Sequence, residues 1–313
     1  MSLPTNFFMA KGGGEAPLYN FTSQNFYENT RGMNGPSFTT IQNRYTGQPF
    51  MDGGFLIQGA FQGYHRLTLP STGSYRFTAA GASGNSTGNY HGGRGAIVRG
   101  DMSFAQGDEI QFIIGQSGGT PHNYNAGGGG GTFVVKQAFF NSGGQTNSNI
   151  VIVAGGGAGG GYDVNGYDAN FSTNGVDGDN NSGSGGTNGN GSYDGGGAGA
   201  GGAGGIFSGP INYTPNGTRS IAYSFTNGAV GGKGFYNNTQ SGFGGSGGSG
   251  NHAGGTGGGY SGGGGGTGNG QRSGGGGSYK ANLSNSTNVG YNGSNPVTSQ
   301  NGTNGYLTIE FLG

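Results

Sequence analysis

The chain has 313 residues, of which 84 are glycine, 8% charged and 29% hydrophobic; the formal net charge is zero and cysteine is absent. Globular domains carry roughly 25% charged and 45–50% apolar residues, so the composition excludes an ordinary α/β enzyme core. The missing cysteine excludes a disulfide frame and a thiolate zinc site, and the neutral balance argues against a nucleic-acid partner.

Residues 1–16 are expected to form an N-terminal arm closed by Gly12-Gly13-Gly14. The opening lacks a basic leader followed by an apolar run, so synthesis in the cytosol is expected. Residues 17–154 carry short strand patterns. Leu67-Thr68-Leu69 runs into the turn signal Pro70-Ser71-Thr72-Gly73, after which Tyr75, Phe77 and Ala79 alternate with Arg76 and Thr78. Further strands are expected at 96–100, 109–115, 132–135 and 150–153. The last two are unbroken apolar runs, the pattern of strands covered on both faces. No segment shows a capped helical period, so this half reads as an all-β, jelly-roll-like sandwich.

Residues 155–280 hold more than half of the glycines, many of them three apart, as in Gly199 to Gly205 and Gly242 to Gly248. A polyproline II helix has three residues per turn, and glycine at every third position leaves one face free for a neighbouring backbone. A flexible linker of this length is improbable inside a compact protein, and the 20 Phe and 17 Tyr of the chain are packing material. An inserted polyproline II bundle is therefore expected, in which a larger side chain at Gly201 or Gly204 would disrupt packing. Strand character returns at Leu307 to Phe311, so residues 281–313 are expected to complete the first sandwich.

Catalytic constellations are lacking. No Gly-Lys-Ser or Gly-Lys-Thr phosphate loop occurs, and His65, His91, His122 and His252 are scattered without ligand spacing. No catalytic residue, resident cofactor or metal is assigned. Asp163, Asp168, Asp177 and Asp179 form a weak calcium pattern whose spacing is not that of an EF-hand and which reads better as solvated turns. No stretch approaches the ~18 apolar residues of a membrane span.

Several segments, among them Pro70 to Tyr75, Gly93-Arg94-Gly95-Ala96, Gly107-Asp108-Glu109-Ile110, Gly127 to Phe133, Val153 to Gly157 and Gly274 to Tyr279, resemble in order and spacing the glycine-rich ectodomain of the anaplastic lymphoma kinase and leukocyte tyrosine kinase receptors. That resemblance implies a tumour-necrosis-factor-like sandwich interrupted by a polyproline II bundle. Upstream, Tyr19-Asn20-Phe21-Thr22, Arg31 to Ser37 and Gly53 to Gln58 look like glycine-rich proteins of phages and large viruses, which tend to be tail-fibre or virion-surface components. The receptors' cysteines, membrane span and kinase have no counterpart here, so kinase signalling is not carried over.

The leading expectation is a non-enzymatic virion-surface fibre or adhesin protein of a phage. It would recognise a host surface glycan or outer-membrane protein, meet other fibre proteins through the N-terminal arm, and in one version self-associate. Alternatives are a purely architectural virion or extracellular filament subunit and, third, an ice-binding protein. Binding aromatics are expected where glycine periodicity lapses: Tyr162, Tyr167, Phe171, Tyr213 and Tyr223.

Overall fold

The computed structural model describes residues 15–120, 122–212, 220–236, 239–268, 270–293 and 301–313. Among the described residues ten strands form two antiparallel sheets. The first orders β1 (Ser23–Tyr27), β10 (Tyr306–Phe311), β4 (Gly73–Ala80), β5 (Gly95–Phe104) and β9 (Ser284–Asn292). The second orders β2 (Leu56–Gln58), β3 (His65–Thr68), β6 (Glu109–Ile113), β7 (Thr132–Lys136) and β8 (Ile150–Ala154). The C-terminal strand β10 lies between β1 and β4, with Ile309 opposite Phe77 and Gln24. The long insert thus leaves and re-enters one jelly-roll-like sandwich.

Alternation follows the faces. In β4, Tyr75, Phe77 and Ala79 are buried between Arg76 and Thr78, which are half-exposed. Phe26, Phe77, Phe112, Leu67, Ile110, Val98, Leu307 and Ile309 fill the space between the sheets. Every residue of β8, and all but the last of β7, is buried, because the outer face of this sheet is covered too. Ile113, Phe133, Val135 and Val153 there meet Phe225, Phe243, Tyr260 and Tyr279 of the glycine-rich insert.

Two short helices were not expected from the sequence: α1 (Phe38–Tyr45) and α2 (Pro49–Asp52). Ser37 caps α1 by accepting from the Thr40 N–H. Ile41 and Tyr45, one turn apart, bury into the core. Arg44 in the last turn pairs with the buried carboxylate of Glu28.

The glycine-rich segments make their hydrogen bonds between segments, in steps of three. Gly156 and Gly159 donate to Gly258 and Gly255, while Gly157 and Gly160 donate to Ala82 and Asn85. Ala126 and Gly129 donate to Gly160 and Gly157; Gly81 and Gly84 donate to Ala96 and Gly93. The step recurs far along the chain, where Gly175 and Gly178 donate to Gly186 and Gly183, and Gly201 and Gly204 to Gly248 and Gly245. A helix with three residues per turn aims equivalent groups at the same neighbour on every third residue, so the insert is a polyproline II bundle. The expected boundary at residue 155 divides the chain but not the architecture. Segments 81–87, 92–94, 115–119 and 126–131, which precede it, are bundle members.

Packing is close enough that most glycines have no alternative. A Cβ on Gly242 would lie 1.6 Å from the Gln116 carbonyl oxygen, and one on Gly130 1.7 Å from that of Phe243. Gly204 fits the expectation, with the Tyr223 oxygen at 2.6 Å, whereas Gly201 does not: its nearest neighbour would stand 3.5 Å away, in ordinary contact. We expect Gly130→Ala to lower stability by several kcal/mol and Gly201→Ala to change it by less than about 1 kcal/mol. Thermal melts of the two variants check this, and equal losses would contradict the packing.

His65 is fully buried and lies flat on Phe112, with ring centroids 4.7 Å apart. Burial pushes its pKa from 6.5 down to about 3. Between these values the unfolded chain takes up a proton that the folded one refuses, so this group costs stability as pH falls through that window. At 1.36 kcal/mol per unit the full effect is roughly 4–5 kcal/mol. Buried Glu28, whose oxygen lies 3.5 Å from the ring, has its pKa raised by burial and acts in the opposite sense. We expect His65→Phe to flatten the fall in melting temperature between pH 6.5 and 3; an unchanged slope would exclude His65 as its source.

Candidate functional site

The bundle springs from the sandwich. The chain leaves the sheets after Ala80 and Ala154 and returns at Gly95 and Thr132. The segments 82–85 and 157–160 run parallel, and 126–129 and 255–258 run parallel to each other and antiparallel to 157–160. Four turns, at 87–91, 122–125, 161–166 and 250–253, therefore share one end of the bundle. At 3.1 Å per residue, the seven residues from Ala154 to Gly161 place that end roughly 20 Å beyond the sheets.

These turns are tied to one another. The Thr87 hydroxyl donates to the Gly161 carbonyl and accepts from the Tyr90 N–H. The Tyr162 N–H donates to the His252 carbonyl at 2.9 Å, and the His91 N–H to Asn165 Oδ1 at 2.8 Å. The buried Asn125 amide donates to the carbonyls of Gly250 and Asn251.

On this frame sits an exposed aromatic cluster. Tyr162 is 50% exposed and Tyr124 44%; their rings lie 5.3 Å apart. His252 touches both, at 5.1 Å from Tyr162 and 6.2 Å from Tyr124. His122 extends the row, 5.3 Å from Tyr124 and stacked at 4.5 Å on Tyr236, whose hydroxyl donates to Asn251 Oδ1. Beside the rings opens a groove of about 380 Å³, lined by Thr87, Asn89, Tyr90, Asn123, Tyr124, Tyr162 and Asp163. Among the described residues no Lys or Arg lines it.

The sequence-derived aromatics do not gather at one place. Tyr162 stands in the cluster at the bundle's end. Tyr167 is half-buried, donates its hydroxyl to Asp179 Oδ1 at 2.5 Å and carries the Arg272 guanidinium 5.3 Å above its ring. Phe171 is half-buried against the core and packs 4.7 Å from Tyr291 of β9. Tyr223 is exposed on another flank, where its N–H donates to Val230. Tyr213 lies outside the described residues. Among the described residues no ring contact joins Tyr162 to Tyr167, Phe171 or Tyr223.

The four aspartates are likewise dispersed. Asp168 forms a two-pronged pair with Arg94, and the Arg94 guanidinium lies 4.3 Å above the Tyr291 ring. Asp177 accepts from the Gly185 N–H, and Asp179 from Tyr167 and the Arg272 N–H. Asp163 borders the groove. Among the described residues no three His, Asp or Glu side chains form a set able to hold a metal ion. None of the described helices is long and apolar enough to cross a membrane.

Tyr90 and Tyr124 escaped the sequence reading, which sought lapses in glycine spacing only after residue 155, and His122 and His252 stood out there only as histidines without ligand spacing. The signal was present at 121–125, where Pro-His-Asn-Tyr-Asn interrupts two glycine runs. Comparison with protein-family models and with curated proteins yields no match. Tyr167 is expected to be a packing residue: Tyr167→Phe removes its bond to Asp179 and should cost about 1 kcal/mol in a denaturant titration. No loss of stability would return Tyr167 to the list of free contact residues.

Proposed function

We propose that this chain is a non-enzymatic attachment protein of a virion surface, a fibre or adhesin, and that the far end of its glycine bundle meets the receptor on a host cell. One observation carries the reading: the exposed rings of Tyr124 and Tyr162, with His252 packed against both, border a groove on turns that are hydrogen-bonded to one another and to a close-packed bundle. Large aromatic side chains on a rigid frame bury contact area at low entropic cost. The sandwich is then the base, and the bundle a short stalk that holds the contact face away from it. The resemblance of Tyr19 to Thr22, Arg31 to Ser37 and Gly53 to Gln58 to segments of phage and large-virus glycine-rich proteins points the same way.

The test replaces Tyr124 and Tyr162 singly with Ala. Both rings are exposed, so the melting temperature should move by less than about 2 °C. Adsorption of the labelled protein to host cells should fall at least tenfold. Adsorption that survives both substitutions would place the contact face elsewhere. Gold-labelled antibody on intact particles adds a second check: label confined to the particle interior, or absent from particles, would overturn the assignment to a virion surface.

A further inference from the structure

We infer that the groove at the bundle's end is a subsite for an uncharged hexopyranose, so that the receptor is met through a neutral glycan; this rests on the attachment reading above. The lining pairs two kinds of surface. Tyr90, Tyr124 and Tyr162 line it, and the negative quadrupole of an aromatic face attracts the weakly positive C–H faces of a pyranose. Asn89, Asn123 and Asp163 bring planar polar groups, and none of the three is hydrogen-bonded to another described residue.

This combination is selective. A side-chain amide offers both a donor and an acceptor, and a carboxylate accepts twice. Sugar hydroxyls also donate and accept, so adjacent hydroxyls can be met on both counts. An apolar peptide side chain would cover the same polar groups without satisfying them, which disfavours it. No Lys or Arg among the described residues lines the groove, and Asp163 supplies a negative charge. Sialic acids, uronates and phosphorylated sugars are therefore disfavoured. A volume of about 380 Å³ lies at the low end of the roughly 300–1,000 Å³ of small-ligand sites, which suits one or two rings and not a flat protein face.

The frame contributes as well. Thr87 already spends its hydroxyl on Tyr90 and Gly161, and Tyr162 is held by its N–H to His252. The turns that carry the rings are held before a ligand arrives, so little backbone ordering remains to be done on binding.

The experiment applies the intact chain to immobilised oligosaccharides ending in glucose, galactose, mannose or N-acetylglucosamine, with sialylated and uronate-ended ones as charged controls. Tyr162→Ala and Asn123→Ala are run beside it, each checked by its melting temperature. Retention on at least one neutral sugar is expected, weakened at least tenfold by either substitution at unchanged melting temperature. No retention, retention on the charged controls alone, or binding indifferent to both substitutions would overturn the inference. If the array stays blank while the protein still coats host cells in a Tyr162-dependent way, the sugar subsite falls and the attachment reading stands. If the array holds the protein through Tyr162 while cells bind the Tyr162→Ala variant equally well, the subsite stands and the attachment reading falls.

Discussion

The structure depends on one constraint: backbone amides inside the bundle must find their acceptors on neighbouring segments, mostly carbonyls and in places a buried hydroxyl such as Ser241, Ser261 or Ser273. A polyproline II segment makes no internal hydrogen bonds, and a buried N–H left without a partner costs about 1–3 kcal/mol. Each buried segment must therefore be ringed by others close enough to accept. That distance leaves no room for a Cβ, as Gly130, Gly242 and Gly274 illustrate, with carbonyl oxygens 1.6 to 1.8 Å from where one would lie. Glycine loses more conformational entropy on folding than any other residue. The bundle offsets this with a saturated network and with aromatic anchors, Phe225, Phe243 and Tyr260, pressed on the outer face of the second sheet.

Much of the fold was legible because two periods were legible. Alternation at Tyr75 to Ala79 and Leu307 to Phe311 gave the buried faces of β4 and β10, and unbroken apolar runs at 132–135 and 150–153 gave strands covered on both sides. Spacing by three gave the bundle. What stayed hidden lacks a one-dimensional pattern. In β9, Ser284–Asn292, mostly exposed polar residues are held by pairing with β5 and not by a buried face. In α1 the inward stripe is only three residues long, Phe38, Ile41 and Tyr45, too short to stand out as a period.

Local spacing also cannot rank the glycines. Gly201 and Gly204 occupy equivalent places in the repeat, and both donate across to the 245–248 segment. Only Gly204 also has the Tyr223 carbonyl against it. Which glycine is indispensable depends on a third segment whose register the sequence does not print. The candidate site was hidden for a related reason. Its four turns are far apart in sequence and meet only because their segments start or finish at the same level of the bundle.

The same logic locates the chemistry. Along a bundle segment nearly every side chain is absent or turned into a neighbour, so a reactive or adhesive group there would break the network that holds the segment. The turns carry no such duty. The end next to the sandwich is already covered, and aromatics arriving there bury: Phe225 stacks on Phe133 at 4.9 Å and is wholly enclosed. At the far end nothing covers Tyr124 and Tyr162, which remain half in solvent on turns as firmly bonded as the bundle itself. One residue class thus meets two fates by position along the stalk, as mortar at the base and as contact surface at the tip. A bundle with no tolerance inside and wide tolerance at its turns separates folding from recognition, so the tip can change its ligand without renegotiating the fold.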